Sequence, residues 1–279
     1  MEYLTSEQIM AFREYLKAEE RSDGTVEKYL RDVGQFEAWL DGGAVTKEAA
    51  AGWKEHLLSE RYGPSTVNGK LASLNAFLAF IGREDCRVKA LKLQRKLFRD
   101  AGKELTRQEY HRLTQTAQAQ GKARLGLLME SICATGIRVS EVKYLTVEAA
   151  RAGKAEISLK GKIRTILLPD KLCRKLLKYA EKQKTASGEI FLTRSGAPLS
   201  RKQIWAEMKA LCQAAGVESS KVFPHNLRHL FATVFYHACK DIAKLADVLG
   251  HSSIETTRIY LLTTGTEHRR QLERLGLVS

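Results

Sequence analysis

The chain has 279 residues, 44% of them hydrophobic and 8% aromatic, which is the composition of an ordinary globular protein with room for two domains. Its formal net charge is +14, and the charge is unevenly distributed. Residues 1–85 hold 10 basic and 15 acidic side chains, residues 86–99 hold 6 basic side chains and none that is acidic, and residues 100–279 hold 30 and 17. A basic excess of this size favours a polyanionic partner over a merely soluble basic protein, because each neutralised phosphate releases counterions.

Other classes of protein are excluded by what the sequence lacks. No apolar run approaches the ~20 residues of a membrane span. The first residues, Met-Glu-Tyr-Leu-Thr-Ser-Glu, lack the basic and then apolar layout of a signal peptide, so we expect a cytoplasmic protein without a membrane partner. No pair of cysteines has the Cys-x-x-Cys spacing of a zinc or redox site, and we expect reduced thiols at Cys86, Cys133, Cys173, Cys212 and Cys239.

Apolar spacing predicts four helices in the first part of the chain, at about residues 5–20, 25–40, 47–61 and 65–80. Thr5 or Ser6 would cap the first helix and Ser65 the fourth. Four helices with short connections predict a small α-helical domain.

Residues 86–103 lose the long apolar stripe and concentrate basic residues, which predicts a linker. Two interpretations remain open for it, a solvated connection and a strap that lies along phosphates.

The second part of the chain mixes helices with one β-hairpin. Helices are predicted at about residues 107–118, 122–134, 140–145, 170–184, 200–214 and 240–249, and a further one begins just after Pro224. A cap within Leu105-Thr-Arg-Gln-Glu109 would open the first of them, and Asp170 and Ser200 would cap two others. Between residues 155 and 168 apolar residues alternate with polar ones around Lys160-Gly161-Lys162, which predicts a hairpin with lysines at its tip.

Three stretches of this second part carry residues suited to chemistry. Arg138 lies in a predicted bend, where a surface ion pair with Glu141 is the alternative interpretation. His225 and Arg228 are three apart in the first turn of a helix, whose positive end favours anions. Near the end of the chain, Gly250 would stop one helix. The spacing from Ser252 to Glu255 predicts a capping box that starts the next helix, with His251 in the turn and Tyr260 about two turns later.

Together these motifs resemble the tyrosine recombinases, the phage integrase family. The resemblance in the second half rests on four motifs: Ala134-Thr-Gly-Ile-Arg138-Val-Ser-Glu141, Lys160-Gly-Lys162, His225-Asn-Leu-Arg228-His229, and Leu249-Gly-His251-Ser followed by Tyr260. In the first half, Thr25-Val-Glu-Lys-Tyr29 and Ser65-Thr-Val-Asn-Gly-Lys-Leu71 are similar to the family's core-binding domain. Each motif is modest alone, but all of them in this order leave little room for coincidence.

The resemblance implies a mainly α-helical fold in two domains. Residues 1–85 would form a four-helix, SAM-like core-binding domain that clamps DNA, and residues 86–103 the basic linker. Residues 104–265 would form a mixed α+β catalytic domain with a small β-hairpin. The tail, residues 266–279, would dock on a neighbouring protomer, with packing on its own domain or fraying as the alternative.

The resemblance also implies a reaction, in which Tyr260 attacks a DNA phosphodiester, forms a 3′-phosphotyrosyl bond and frees a 5′-hydroxyl. Arg138 and Arg228 would hold the non-bridging oxygens, since guanidinium groups suit the spread charge of a pentacoordinate phosphorane. Fixed cations neutralise the phosphate in this arrangement, so neither a metal ion nor another cofactor is expected. The sequence offers no cluster of carboxylates suited to Mg²⁺ and no glycine-rich phosphate loop.

The remaining roles concern the movement of protons. The resemblance implies that Lys160 protonates the leaving 5′-oxygen, although Lys162 in the same hairpin is the alternative. His225 would assist proton transfer at Tyr260, because a phenol holds its proton at neutral pH. His251 would hydrogen-bond a phosphate oxygen.

The expected partner is double-stranded DNA carrying recombination sites. The protein would be a monomer in solution and a tetramer on DNA, with accessory DNA-bending proteins or a partner recombinase as further candidates. Seven basic residues are predicted to contact the DNA: Lys28, Arg31, Lys70, Lys92, Arg95, Lys96 and Lys162. The chain begins directly at the core-binding domain, which favours a Xer-like resolvase or the integrase of a compact mobile element.

Site-specific recombination through a Holliday junction, as integration, excision or dimer resolution, is therefore the leading functional prediction. A type IB-like topoisomerase would use the same tyrosine chemistry without exchanging partners. A DNA-binding regulator without catalysis is the third interpretation, and the intact set of six candidate catalytic residues argues against it.

Overall fold

The chain folds into two compact units, Met1–Arg95 and Lys96–Ser279. The computed structural model describes residues 3–93, 101–159, 162–261, 269–270 and 273–275, apart from the side chains of residues 101, 159, 162 and 261. Within these residues no helix is both long enough and apolar enough to cross a bilayer.

Four helices lie within residues 3–93, as the apolar spacing predicts: α1 (Ser6–Ala18), α2 (Asp23–Leu40), α3 (Lys47–Ser59) and α4 (Pro64–Phe80). Thr5 caps α1 in a reciprocal capping box with Gln8. The prediction that Ser65 caps α4 is wrong, because Gly63 is the N-cap and Pro64 occupies the first helical position. Proline suits that position, since it lacks an N–H and its fixed backbone angle is already helical.

A short 3₁₀ helix, Glu84–Cys86, and an extended segment, residues 87–93, follow the four helices and pack along α4. Asn68 and Asn75, seven residues apart on α4, each grip one residue of the segment through both amide atoms. Asn68 accepts from the Leu91 N–H at 2.7 Å and donates to its carbonyl at 3.0 Å, and Asn75 does the same to Val88 at 2.9 and 2.8 Å. Residues 86–93 of the predicted linker are therefore fixed to the first unit.

A partly buried polar network joins α2 to α4. The Lys28 ammonium donates to Asp32 at 2.7 Å, to the Gly69 carbonyl at 2.9 Å and to Ser73 at 3.0 Å. Lys70, only 8% exposed, donates to Gln35 and has its ammonium 3.9 Å from Asp32. Two of the lysines predicted to contact DNA thus have partners inside the protein.

In the second unit, nine α-helices and one antiparallel hairpin lie within the described residues of 101–261. The helices are α5 (Arg107–Ala119), α6 (Ala123–Thr135), α7 (Val147–Ala152), α8 (Asp170–Lys182), α9 (Arg201–Lys209), α10 (Cys212–Ala215), α11 (Pro224–Cys239), α12 (Ile242–Leu249) and α13 (Ile254–Thr257). The hairpin pairs β1 (Lys154–Leu159) with β2 (Lys162–Leu167), in the predicted region. α6 is apolar around most of its surface and packs against α5, α8 and α11, which makes it the centre of this core.

Several predicted boundaries in this unit are wrong for local reasons. The helix predicted at 140–145 is a 3₁₀ helix, Val139–Tyr144, and the one predicted at 200–214 is divided between α9 and α10. Ser200 does cap α9, but Asp170 is the first residue of α8 and Pro169 is its N-cap. Near the end of the chain Ser253, not Ser252, caps α13, and the chain tightens into a 3₁₀ turn, Arg258–Leu261.

Candidate active site

Arg228 lies in the first turn of α11 and is buried, with 3% of its surface exposed. Its Nη1 donates to the Gly136 carbonyl and its Nη2 to the Leu249 carbonyl at 2.8 Å. Nη2 is also 3.0 Å from Nε2 of His251. Burial, followed by the nearby charge of Arg138, lowers the pKa of Arg228 to about 10, so the guanidinium stays charged at neutral pH.

Gly136 allows the end of α6 to pack closely against α11. It ends α6 in the left-handed conformation, with φ of 65°, as a glycine helix stop does. A Cβ built on it would lie 2.5 Å from Cδ1 of Phe231 on α11. The backbone of α6 and the aromatic ring of α11 thus touch at the point where Arg228 donates to the Gly136 carbonyl.

Replacing Gly136 by alanine is expected to lower the free energy of unfolding by about 3 kcal/mol, from the left-handed backbone and from overpacking against Phe231. Chemical denaturation measures the change. Gly153→Ala is the matched control, because Gly153 ends α7 with φ of 69° and a Cβ added to it would meet nothing within 4 Å. Equal losses in the two variants would contradict the role given to Phe231.

Arg138 precedes the 3₁₀ helix and is held by Glu141. The Arg138 N–H donates to Oε2 of Glu141 at 2.8 Å, and Nη1 lies 3.1 Å from Oε1. Nη2 reaches the Gly250 carbonyl at 3.5 Å, and the side chain remains 38% exposed. Glu141 is only 3% exposed; burial raises its pKa, but bonds from Arg138 and the charge of Arg164 outweigh burial and lower it. The predicted surface ion pair is therefore a buried carboxylate holding an accessible guanidinium.

His251 follows Gly250, which ends α12 with φ of 63° as predicted. Its Nδ1 is 2.9 Å from the hydroxyl of Thr257, a residue with no exposed surface. Because a guanidinium only donates, Nε2 of His251 accepts from Arg228, and Nδ1 then carries the proton and donates to Thr257. Burial and the surrounding positive charges, Arg228 first, lower the pKa of His251 to about 4, so the ring is neutral at pH 7.

This neutral ring predicts a contribution to stability that depends on pH. The pKa of His251 is lowered by folding, so its contribution is complete above about pH 6.5 and is lost as the pH falls towards about 4. Urea denaturation across this range should show that wild type loses stability more steeply than His251→Asn. Parallel losses in the two proteins would show that His251 is charged in the folded state.

Tyr260 lies in the 3₁₀ turn Arg258–Leu261 and is 4% exposed. The His229 ring meets it edge-on at 4.9 Å between centroids, and the His251 ring stacks with it at 6.2 Å. The nearby Tyr260 hydroxyl favours the charged form of Arg228 and so opposes the lowering of its pKa. The phenol is thus enclosed by two imidazoles and lies near a guanidinium.

His225 occupies the same turn of α11 as Arg228 but faces outwards. Desolvation, then the charges of Arg228 and Arg138, lower the pKa of His225, so its neutral form is favoured. Five of the six predicted catalytic residues therefore lie around the junction of α6, α11 and the Gly250 turn. Lys160 falls outside the described residues.

The predicted DNA-contacting residues differ in their surroundings. Arg31 and Lys92 are exposed, Lys28 has 41% of its side chain exposed although it binds Asp32, and Lys70 is buried. Arg95 and Lys96 fall outside the described residues, as does the side chain of Lys162.

Sequence reasoning missed three residues that complete the site, namely Arg164, Thr257 and His229, whose ring packs edge-on against Tyr260. A usable signal existed for Arg164. Ile166 and Leu168 face the core, so residue 164 lies on the same face by strand alternation, and an arginine there needs a buried partner. Thr257 and His229 are set by tertiary packing, for which the sequence has no comparable signal.

Comparisons with known proteins agree with this architecture. Residues 103–265 match the Phage integrase family, and residues 9–85 match the Phage integrase, N-terminal SAM-like domain. Tyrosine recombinase XerA of Thermococcus kodakarensis is 30% identical, covering 98% of this chain and 96% of that protein. Tyrosine recombinase XerD of Xanthomonas axonopodis pv. citri is 29% identical, covering 90% and 89%.

Solved structures show the same fold at lower identity. A lambda integrase dimer bound to a COC′ core site has a TM-score of 0.74 at 18% identity, covering 93% of this chain and 95% of that one. The XerH site-specific recombinase bound to its difH substrate, in a pre-cleavage complex, has a TM-score of 0.70 at 19% identity, covering 96% and 84%.

Proposed function

Because this chain belongs to the phage integrase family, we propose that it is a tyrosine recombinase that cuts and rejoins DNA at specific sites. The observation that carries this proposal is the convergence of Arg138, Arg228, His251 and Tyr260, which come from segments far apart in sequence. Two guanidiniums and a tyrosine hydroxyl suit one reaction class, the transfer of a phosphodiester to the phenol.

In the proposed reaction the Tyr260 oxygen attacks phosphorus while the bond to the 5′-oxygen breaks. The phenolic proton passes towards His225, whose neutral form can accept it. The 5′-oxygen leaves with its electron pair and takes a proton from Lys160. Arg138 and Arg228 hold the non-bridging oxygens and stabilise the charge that develops on them. The bond energy stays in the 3′-phosphotyrosyl link, so a second 5′-hydroxyl can reverse the step without ATP.

His251 can donate a hydrogen bond to the phosphate and still keep its hydrogen bond with Thr257. In the free protein its Nε2 accepts from Arg228, so it offers no proton there. The Thr257 hydroxyl can donate as well as accept, which allows the ring to move its proton from Nδ1 to Nε2 and keep that hydrogen bond. A phosphate oxygen bound between Arg228 and His251 would then receive a hydrogen bond from each.

The role of Lys160 as the general acid is tested by replacing each of the two hairpin lysines with alanine, one at a time. Lys160→Ala should slow cleavage by about 10²- to 10⁴-fold, the usual contribution of general acid catalysis, and Lys162→Ala should cleave at close to the wild-type rate. The assay is single-turnover cleavage of a suicide substrate, in which the cut strand diffuses away. A loss confined to the Lys162 variant would move the role to that residue.

Binding to DNA is proposed to rest on the exposed side chains of Arg31 and Lys92. Arg95, Lys96 and Lys162 are the further proposed contacts. Lys70, which is buried, is assigned instead to holding α2 against α4, whereas Lys28, with 41% of its side chain exposed, stays a proposed contact. We further propose that four protomers assemble on DNA, linked by the tail at residues 266–279, and exchange strands through a Holliday junction. Accessory DNA-bending proteins or a partner recombinase would set the direction of the reaction.

The decisive experiment is to trap the protein covalently on DNA and to sequence the attached strands. A recombinase gives one short motif joined through a 3′-phosphate to Tyr260. A supercoiled plasmid that lacks the motif is the control, because a relaxing topoisomerase would relax it freely. Failure to recover any covalent adduct would refute catalysis and favour a DNA-binding regulator.

A further inference from the structure

The β-hairpin contributes a third arginine to the candidate site. Arg164 lies on β2 opposite Ile157, on the face that carries Ile166 into the core, and its side chain is 14% exposed. A charge in such a position is costly unless it is paired and hydrogen-bonded. Its partners therefore show what the residue is for.

The Arg164 side chain contacts two segments of the site through its two Nη atoms and Cδ, while its buried Nε has no hydrogen-bond partner among the described residues. Nη2 forms an ion pair with Oε2 of Glu141, the carboxylate that also binds Arg138. Nη1 lies 3.4 Å from the Val248 carbonyl at the end of α12. The side chain also lies against Gly250, where a Cβ would overlap Cδ of Arg164. The glycine that stops α12 is thus also small enough to admit Arg164.

We propose that Arg164 is a positioning residue for phosphoryl transfer, one that orients Arg138 through Glu141 and seats the turn that carries His251. The proposal rests on the proposed function. Glu141 binds two guanidinium groups, so its carboxylate is held from both sides. The carboxylate in turn holds the guanidinium of Arg138 in one orientation. The positive charge of Arg164 also acts on Arg228 and His251, in the direction that keeps His251 neutral.

This role differs from that of an ordinary structural ion pair. Arg124 supplies the comparison within the same unit, since its side chain is 23% exposed, pairs with Glu207 at 2.7 Å and donates to the Leu192 carbonyl at 2.7 Å. Both arginines link distant segments through one carboxylate and one carbonyl. Of the two, only Arg164 shares its carboxylate with Arg138.

The test compares Arg164→Met, Arg164→Lys, Glu141→Gln and the double variant Arg164→Met/Glu141→Gln, with Arg124→Met as the matched control. Fluorescence anisotropy measures DNA affinity. Single-turnover assays measure the rate of covalent adduct formation on the DNA site identified by covalent trapping. We expect Arg164→Met to bind DNA within about threefold of wild type and to cleave about 10²-fold more slowly. Arg164→Lys should recover part of the rate, because a lysine can reach Glu141 but cannot also bind Val248.

The double variant distinguishes a positioning role of Arg164, exerted through Glu141, from an effect that is independent of Glu141. If Arg164 acts through Glu141, the double variant cleaves no more slowly than the slower single variant, because both changes break one chain of contacts. Multiplied losses, or wild-type cleavage by Arg164→Met, would overturn the proposal, as would an equal loss in Arg124→Met. Should Arg164→Met fail to fold in circular dichroism, the comparison of Arg164→Lys with Glu141→Gln carries the test. Absence of an adduct from wild type itself would instead refute the proposed function.

Discussion

Replacing Tyr260 by phenylalanine is expected to abolish the covalent protein–DNA adduct while changing DNA affinity by less than about twofold. The change removes only the hydroxyl, which is the atom that must form the bond to phosphorus. The ring itself is 4% exposed and packs between His229 and His251, and phenylalanine preserves that shape. Denaturing electrophoresis of labelled suicide substrate detects the adduct, and anisotropy measures the affinity.

Tyr236→Phe is the control for this prediction. Tyr236 lies on α11 and packs, partly buried, against the cluster that contains Tyr260. Loss of its hydroxyl should leave adduct formation unchanged. An adduct formed by Tyr260→Phe at any measurable rate would mean that another nucleophile does the chemistry.

Arg228→Lys should be the next most damaging change, with cleavage slowed by about 10²- to 10³-fold. An ammonium keeps the charge but cannot satisfy the Gly136 and Leu249 carbonyls and His251 together with a phosphate oxygen. Leaving one buried carbonyl without a donor also costs stability, about 1–3 kcal/mol. Single-turnover cleavage and urea denaturation measure the two effects.

Arg112→Lys separates this effect from a general loss of guanidinium groups. Arg112 is exposed and donates to the Gly216 carbonyl at 3.1 Å, so a lysine there should change neither cleavage nor stability by a measurable amount. Cleavage by Arg228→Lys at close to the wild-type rate would show that charge alone, rather than bidentate geometry, holds the phosphate.

The sequence was sufficient for the family and for most helices, because both depend on local patterns. The family resemblance and the mainly helical fold with one hairpin are confirmed. Capping boxes form at Thr5 and Thr106, where caps are predicted, since the groups that bond are three residues apart. Gly250 likewise ends its helix because a positive φ is a property of one residue.

Predictions failed where several local solutions compete. Ser252 and Ser253 are both plausible caps by composition, and tertiary packing of Thr257 and Tyr260 selects the second. Asp170 follows Pro169, which already begins the turn, so the aspartate falls inside the helix.

The sequence motifs contain residues that lie together in the structure, such as Arg228 and His251, but they do not predict the network that joins them. The motifs contain Arg138 and Glu141, and the sequence allowed a surface ion pair between them. In the structure Glu141 is buried and also pairs with Arg164, which lies on a hairpin 23 positions later in the sequence. Spacing along the chain has no information on such a contact. The assignment of catalytic roles stays a prediction until the variants are measured.

The hydrogen bonds from Asn68 and Asn75 to residues 86–93 determine where a fragment containing the first domain should end. A fragment ending at residue 85, where the SAM-like match also ends, would remove Cys86 and Val88 from the core, at 0% and 7% exposure, and would strip both asparagine amides of their partners. A fragment that continues to residue 93 retains them. In a chimera built to transfer site preference between recombinases, the joint therefore belongs after residue 93.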